Sequence, residues 1–162
     1  MTILWLILKT EIMKKTLIYF VIVCLGMGCS SDKENSSLQD LVGKWKLQAF
    51  EDEISGTILT ATDFENSNEI TIEFKPDFNY VGSTVLNEFF GSYSIDESRN
   101  ILIFRDFFTS EVNETKWGNL FYYNLRLNYN HTTQDWESRY EISDDVFKLY
   151  YSNSEYMRFE KL

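Results

Sequence analysis

Residues 70–85 read ITIEFKPDFNYVGSTV, and this stretch decides the fold. Ile70, Ile72 and Phe74 alternate with Thr71, Glu73 and Lys75, the period of a strand that buries one face. Lys75-Pro76-Asp77 then interrupts the run. Proline presets the backbone angle of a turn, and aspartate can bond its own main chain. Tyr80–Val85 returns as the partner strand. The unit reads as a hairpin with one apolar face.

The pattern continues outward in both directions along the body of the chain. Phe89, Gly91, Tyr93 and Ile95 share a face of the next strand, Asp96–Asn100 supplies a turn, and Ile101–Phe107 follows. Tyr140 and Ile142 precede an Asp144-Asp145 turn. Phe147, Leu149 and Tyr151 come next, then Ser152–Glu155, then Met157 and Phe159. Short strands joined by hairpin turns predict a mainly β chain, an antiparallel meander closed into a barrel or folded as a sandwich. Gly82 and Gly91 lie inside strands, where glycine marks a bend or bulge. Residues 113–125 break the alternation and predict one short helix. Trp117, Leu120, Phe121, Asn124 and Leu125 fall on one helical face, with Asn113 or Thr115 available as a cap. Its tail, Leu125–Tyr129, also alternates as a strand would.

The N-terminal part follows other rules. Residues 13–30, MKKTLIYFVIVCLGMGCS, set Lys14 and Lys15 before the apolar run Leu17–Leu25, and Gly26-Met27-Gly28 lead into Cys29. This is a secretory signal ending in a cysteine. It resembles the bacterial lipoprotein signal, although Gly26 stands where that pattern prefers leucine. The resemblance implies a diacylglyceryl thioether on Cys29 and cleavage just before it. The apolar run is roughly half the ~20 residues that a spanning helix needs, so the expected contact with a membrane is through acyl chains. Met1–Ile12 carry a second apolar run, Ile3–Leu8, that such a signal does not require, and translation is expected to start at Met13. The chain thus divides into a signal peptide (1–28), a lipidated N-terminus with a polar tether (29–37) and a barrel domain (38–162). Ser30 resembles the residue that permits outer-membrane sorting. The expected location is the cell envelope, at the outer membrane, on either its periplasmic or its surface face.

Composition narrows the chemistry. Losing Lys9, Lys14 and Lys15 together with Glu11 takes the formal charge from -10 to -12. So acidic a body repels phosphate backbones and anionic headgroups, which argues against nucleic acid as a partner. The chain has two cysteines. Cys24 leaves with the signal and Cys29 carries the lipid, so no thiol remains for catalysis, zinc or a disulfide. The single histidine, His131, sits in a polar stretch and excludes a multi-histidine metal site. The carboxylate groups Glu51-Asp52-Glu53, Asp96-Glu97 and Asp144-Asp145 fall at strand ends and turns, without the spacing of a calcium loop. Glycines are scattered singly, so no phosphate loop is present. No catalytic, cofactor or metal residues are expected.

Two further stretches carry a family resemblance. Leu41–Leu47, LVGKWKL, resembles the opening strand of lipocalin-like and META-type domains, in which a G-x-W-x-L strand begins the barrel. Asn87–Tyr93, NEFFGSY, resembles the META N-x-x-x-G-x-Y signature. Leu86 stands where a cysteine often precedes that asparagine, and residues 128–138 look like an inserted loop. The resemblance implies a small lipocalin-like or META-type barrel whose end is closed by Trp45, with no established catalytic residues. It further implies a non-enzymatic envelope lipoprotein acting as a binding or envelope-stress module. The alternative is a carrier of a small apolar ligand in an open barrel. Aromatic residues make up 17% of the chain, and two readings of them stay open. They form the core, or Phe89, Tyr93, Trp117 and Phe121 form an exposed face for a glycan, lipid or envelope protein. Oligomeric state is not legible.

Overall fold

The computed structural model of the protein describes residues 36–110 and 112–162. Helix α1 (Ser36–Leu41) leads into β1 (Gly43–Asp52) and β2 (Ile58–Thr60), and a 3₁₀ turn (Ala61–Asp63) precedes β3 (Thr71–Phe74). Then come β4 (Asn79–Ser83), β5 (Glu88–Asp96) and β6 (Ile101–Thr109), helix α2 (Lys116–Arg126), β7 (Tyr129–Asn130), β8 (Asp135–Ser143), β9 (Val146–Tyr150) and β10 (Glu155–Lys161). Eight of the strands, in the order β1-β3-β4-β5-β6-β8-β9-β10, pair antiparallel, and β10 closes on β1. The result is a closed antiparallel barrel. β2 adds to the far half of β1 and β7 to β8, both outside the closed ring.

The alternation read from residues 70–85 is the alternation of burial. Ile70, Ile72 and Phe74 are buried, and Ile72 faces Gly82 while Phe74 faces Tyr80 across the β3–β4 hairpin. Aromatic rings meet across the interior. Phe74 lies 6.1 Å from Phe104 and 5.9 Å from Phe147, Tyr80 lies 5.3 Å from Phe104, and Trp45 lies 5.5 Å from Phe147. A barrel of eight strands is just wide enough for side chains to fill, and here they do. Gly91 sits at a β-bulge between Phe90 and Ser92. A Cβ there would lie 2.3 Å from the Asp106 carbonyl oxygen and 2.6 Å from the Tyr80 hydroxyl, so only glycine fits.

The two ends are capped by helices. α1 adjoins the end where β1 starts, and Trp45 Nε1 donates to the Leu41 carbonyl at 2.7 Å, with both residues fully buried. β6 ends at the opposite mouth, and α2 follows it there. The helix is N-capped by Thr115, whose hydroxyl accepts from the Gly118 amide. Its buried residues are Trp117, Gly118, Phe121, Tyr122, Asn124 and Leu125: the predicted face without Leu120, which is half-buried, and with Gly118 and Tyr122 added. Trp117 packs on Phe50 and Phe64, and Phe121 on Phe89.

Two expectations change. Residues 128–138 are not a simple loop: β7 and the start of β8 form a hairpin there, with Tyr129 opposite Trp136. The strand gains its hold by pairing with β6, which sets Phe104 opposite Trp136. A second short helix, α1, begins inside the stretch read as tether, because Leu38 and Leu41, one turn apart, can both reach the core. The predicted short helix is present as α2, which ends at Arg126, and of the alternating tail only Tyr129 enters a strand. The expected signal peptide, Cys29 and most of the expected tether lie outside the described residues.

Candidate functional site

The four aromatics proposed as an exposed face are core residues. Phe89, Tyr93, Trp117 and Phe121 are all 3% exposed or less. The reason is the strand period itself: in β5 the residues that share Phe89's side point inward, so the neighbour Phe90 points out. Phe90 and Phe108 are 52% and 55% exposed, and their rings stack at 5.4 Å.

The densest buried polar cluster lies at the α2 mouth. Asn87, 4% exposed, uses its whole amide: Nδ2 donates to the Val112 carbonyl and to Glu114 Oε2, both at 2.9 Å, and Oδ1 accepts from the Val112 amide and the Ser110 hydroxyl. Glu114 Oε2 also accepts from the Thr84 hydroxyl, and Oε1 accepts from the Thr115 amide at 2.8 Å. The Tyr122 hydroxyl adds a bond to Thr109 at 3.0 Å. Together these groups tie the β4–β5 turn to the segment entering α2 and hold the helix over the barrel mouth. Burial pushes the Glu114 carboxyl up, but the hydrogen bonds from Thr84, Asn87 and the Thr115 and Leu86 amides outweigh it, holding it below the ordinary glutamate value.

The sign of the pH effect follows. A carboxyl depressed in the folded state adds stability that is present above its unfolded value and lost as pH falls through its folded one. Glu114→Gln is expected to flatten the acid limb of a stability–pH curve below about pH 4.5; an unchanged slope would mean that the carboxylate contributes nothing there. Asn87 was visible as part of the resemblance. Glu114 was missed, although an acidic residue directly before a helix cap marked it.

A second polar assembly covers the outer wall at the seam of β8, β9, β10 and β1. Glu51 accepts from the Tyr156 hydroxyl at 2.7 Å and from Arg158 Nε at 2.6 Å, and Arg158 reaches Glu160 at 2.8 Å. The Tyr150 hydroxyl lies between Glu141 Oε2 at 3.0 Å and Glu53 Oε1 at 3.1 Å, while the Arg139 guanidinium stacks 3.3 Å above its ring. Burial, with the Glu141 hydrogen bond, pushes the Tyr150 phenol up to about 12. Glu51, read as a strand-end charge, is thus a seam residue joining the first and last strands.

The outer wall also carries a groove of about 320 Å³ between Lys44, Glu73, Val81, Ser83, Glu88 and Phe90. No group of three or more acidic, histidine or cysteine residues among the described residues is placed to hold a metal. His131 is exposed in the turn after β7, its ring edge-on to Tyr129 at 5.0 Å. His131→Ala is expected to shift stability by no more than ~0.5 kcal/mol, the range of an ordinary surface substitution. A thermal melt checks this. Loss of a measured activity with folding intact would redirect attention to His131 and Asp135.

No family model matches the chain, and no curated protein matches it. Two solved structures are similar in fold. One is the NMR structure of a protein from Burkholderia xenovorans, with a TM-score of 0.55 and 17% identity over 80% of this chain and 88% of that one. The other is the crystal structure of a DUF4847 family protein from Bacteroides vulgatus ATCC 8482, also at a TM-score of 0.55 and 17% identity, over 74% of this chain and 92% of that one. At this identity the likeness is one of architecture: the chain is a closed antiparallel β-barrel similar to these two proteins.

Proposed function

We propose that this chain is a lipid-anchored envelope protein, META-like in its strand signatures, whose barrel is a non-enzymatic recognition module that works through its outer surface. The observation that carries the choice of surface over lumen is the packing of the interior. Phe74, Phe104, Phe147 and Trp45 touch across the barrel, and helices adjoin both mouths. A carrier of an apolar ligand needs a concave, largely preformed pocket, whereas these rings occupy the space such a ligand would fill. Anchorage rests on the sequence before Cys29. Among the described residues no helix is long and apolar enough to cross a membrane.

The test is fatty-acid labelling and fractionation in a Gram-negative host. Cys29→Ser should abolish labelling and release the barrel from the membrane fraction, and Cys24→Ser should do neither. Retention of the Cys29 variant in membranes would defeat the anchor. The surface reading is checked separately by native mass spectrometry of the purified barrel. It is expected at the mass of the polypeptide, and a small molecule retained under native conditions and released on unfolding would restore the carrier reading.

A further inference from the structure

We infer that the stacked pair Phe90–Phe108, with the groove beside it, is a docking site for a cationic, partly apolar segment of a protein partner. The inference rests on the outer-wall reading above and gives it a partner class. The register builds the site: Val81 lies opposite Phe90, and Phe90 opposite Phe108, so three apolar side chains form one row across β4, β5 and β6 on the outer face. The row continues to Glu73 opposite Val81 and Lys44 opposite Glu73. Phe90 and Phe108 are each more than half exposed, where isolated strand positions of this kind are ordinarily polar. Their rings stack on each other, and Phe90 lines the 320 Å³ groove beside them.

Charge selects the occupant. Glu73 and Glu88 line the groove and enter no ion pair among the described residues, and Asp106, whose carboxylate accepts from the Ser92 hydroxyl at 3.2 Å, is on the strand of Phe108. Lys44 is the one cation of the row, and its charge also acts on Glu69. Of the cations on adjoining strand positions, Lys46 is engaged by Glu69 and Arg105 by Asp135, the latter at 3.5 Å. Glu73 and Glu88 against Lys44, with Asp106 on the adjoining strand, sit on a body whose formal charge without the signal is -12. Such a surface repels anionic headgroups, nucleic acid and a second copy of itself. An arginine or lysine instead finds both an aromatic face to stack on and a carboxylate to bond, while apolar side chains of the same segment cover Val81 and the ring edges.

The experiment titrates the ¹⁵N-labelled barrel, at physiological ionic strength, with a capped decapeptide alternating Arg and Leu. A decapeptide alternating Arg and Ser controls for charge alone, and maltohexaose stands for a neutral glycan. The Arg/Leu peptide should move the amides of β4, β5 and β6 around Val81, Phe90 and Phe108. Phe90→Ser/Phe108→Ser, which leaves the charge unchanged, should weaken it about tenfold or more, and Glu73→Gln/Glu88→Gln should weaken it several-fold. Equal binding of the two peptides, or shifts spread over the whole acidic surface, would reduce the attraction to diffuse charge and overturn the site. So would binding of maltohexaose in place of peptide, or no binding at all. If the double phenylalanine variant does not fold, the wild-type shift map and the glutamine variant decide the matter. Anchorage is read independently by the Cys29→Ser fractionation, so either idea can fail without the other.

Discussion

Replacing Trp45 by alanine is expected to cost about 3–5 kcal/mol, the range for removing a fully buried large aromatic. Trp45 is 0% exposed. Its ring packs on Phe147 at 5.5 Å, Lys161 Nζ lies 5.1 Å from its centroid, and its indole N–H caps the Leu41 carbonyl at the end of α1. Truncation opens a cavity at the junction of β1, β3 and β10, where the barrel closes, and leaves a buried carbonyl without its donor. Urea denaturation checks the figure: the midpoint should fall with little change in slope. Trp45→Phe should cost clearly less, since it retains ring packing and loses the hydrogen bond. A loss below ~1 kcal/mol for Trp45→Ala would be that of a surface residue and would contradict this packing.

Asn87→Ala is expected to cost about 2–4 kcal/mol, because it removes four hydrogen bonds of one buried side chain at once. The Val112 amide and carbonyl and the Ser110 hydroxyl all lose a bond, and Glu114 loses one of the donors that hold its carboxylate. Since Asn87 and Glu114 act on one segment, their effects should not add. In a double-mutant cycle Asn87→Ala with Glu114→Ala should cost well under the sum of the single changes. Hydrogen exchange locates the damage. The α2 amides should lose protection while those of β9 and β10 keep theirs. Equal loss over the whole barrel would mean that the cluster supports global stability and is not a local clasp on the helix.

Much of this architecture is written in local pattern. The alternation of Ile70, Ile72 and Phe74, the Pro76-Asp77 turn and the Thr115 cap each act within a few residues, through strand geometry, turn chemistry and an orphaned amide. They therefore determined by themselves most of the strands and turns and most of the buried face of α2, but not β2, β7 or the start of β8. Period two says which residues share a side. It does not say which side faces in when both carry aromatic rings. In Phe89-Phe90 and Phe107-Phe108 every position is apolar, and only closure of the barrel sorted Phe89 to the core and Phe90 to solvent. Contacts between distant residues were equally out of reach. Asn87 meets Glu114, Glu51 meets Arg158, and β1 meets β10 because the meander returns to its start. No local propensity encodes such pairs. They exist because the strand count and tilt that fill the interior also bring the first and last strands within hydrogen-bonding distance, and that was decided by the tertiary structure alone.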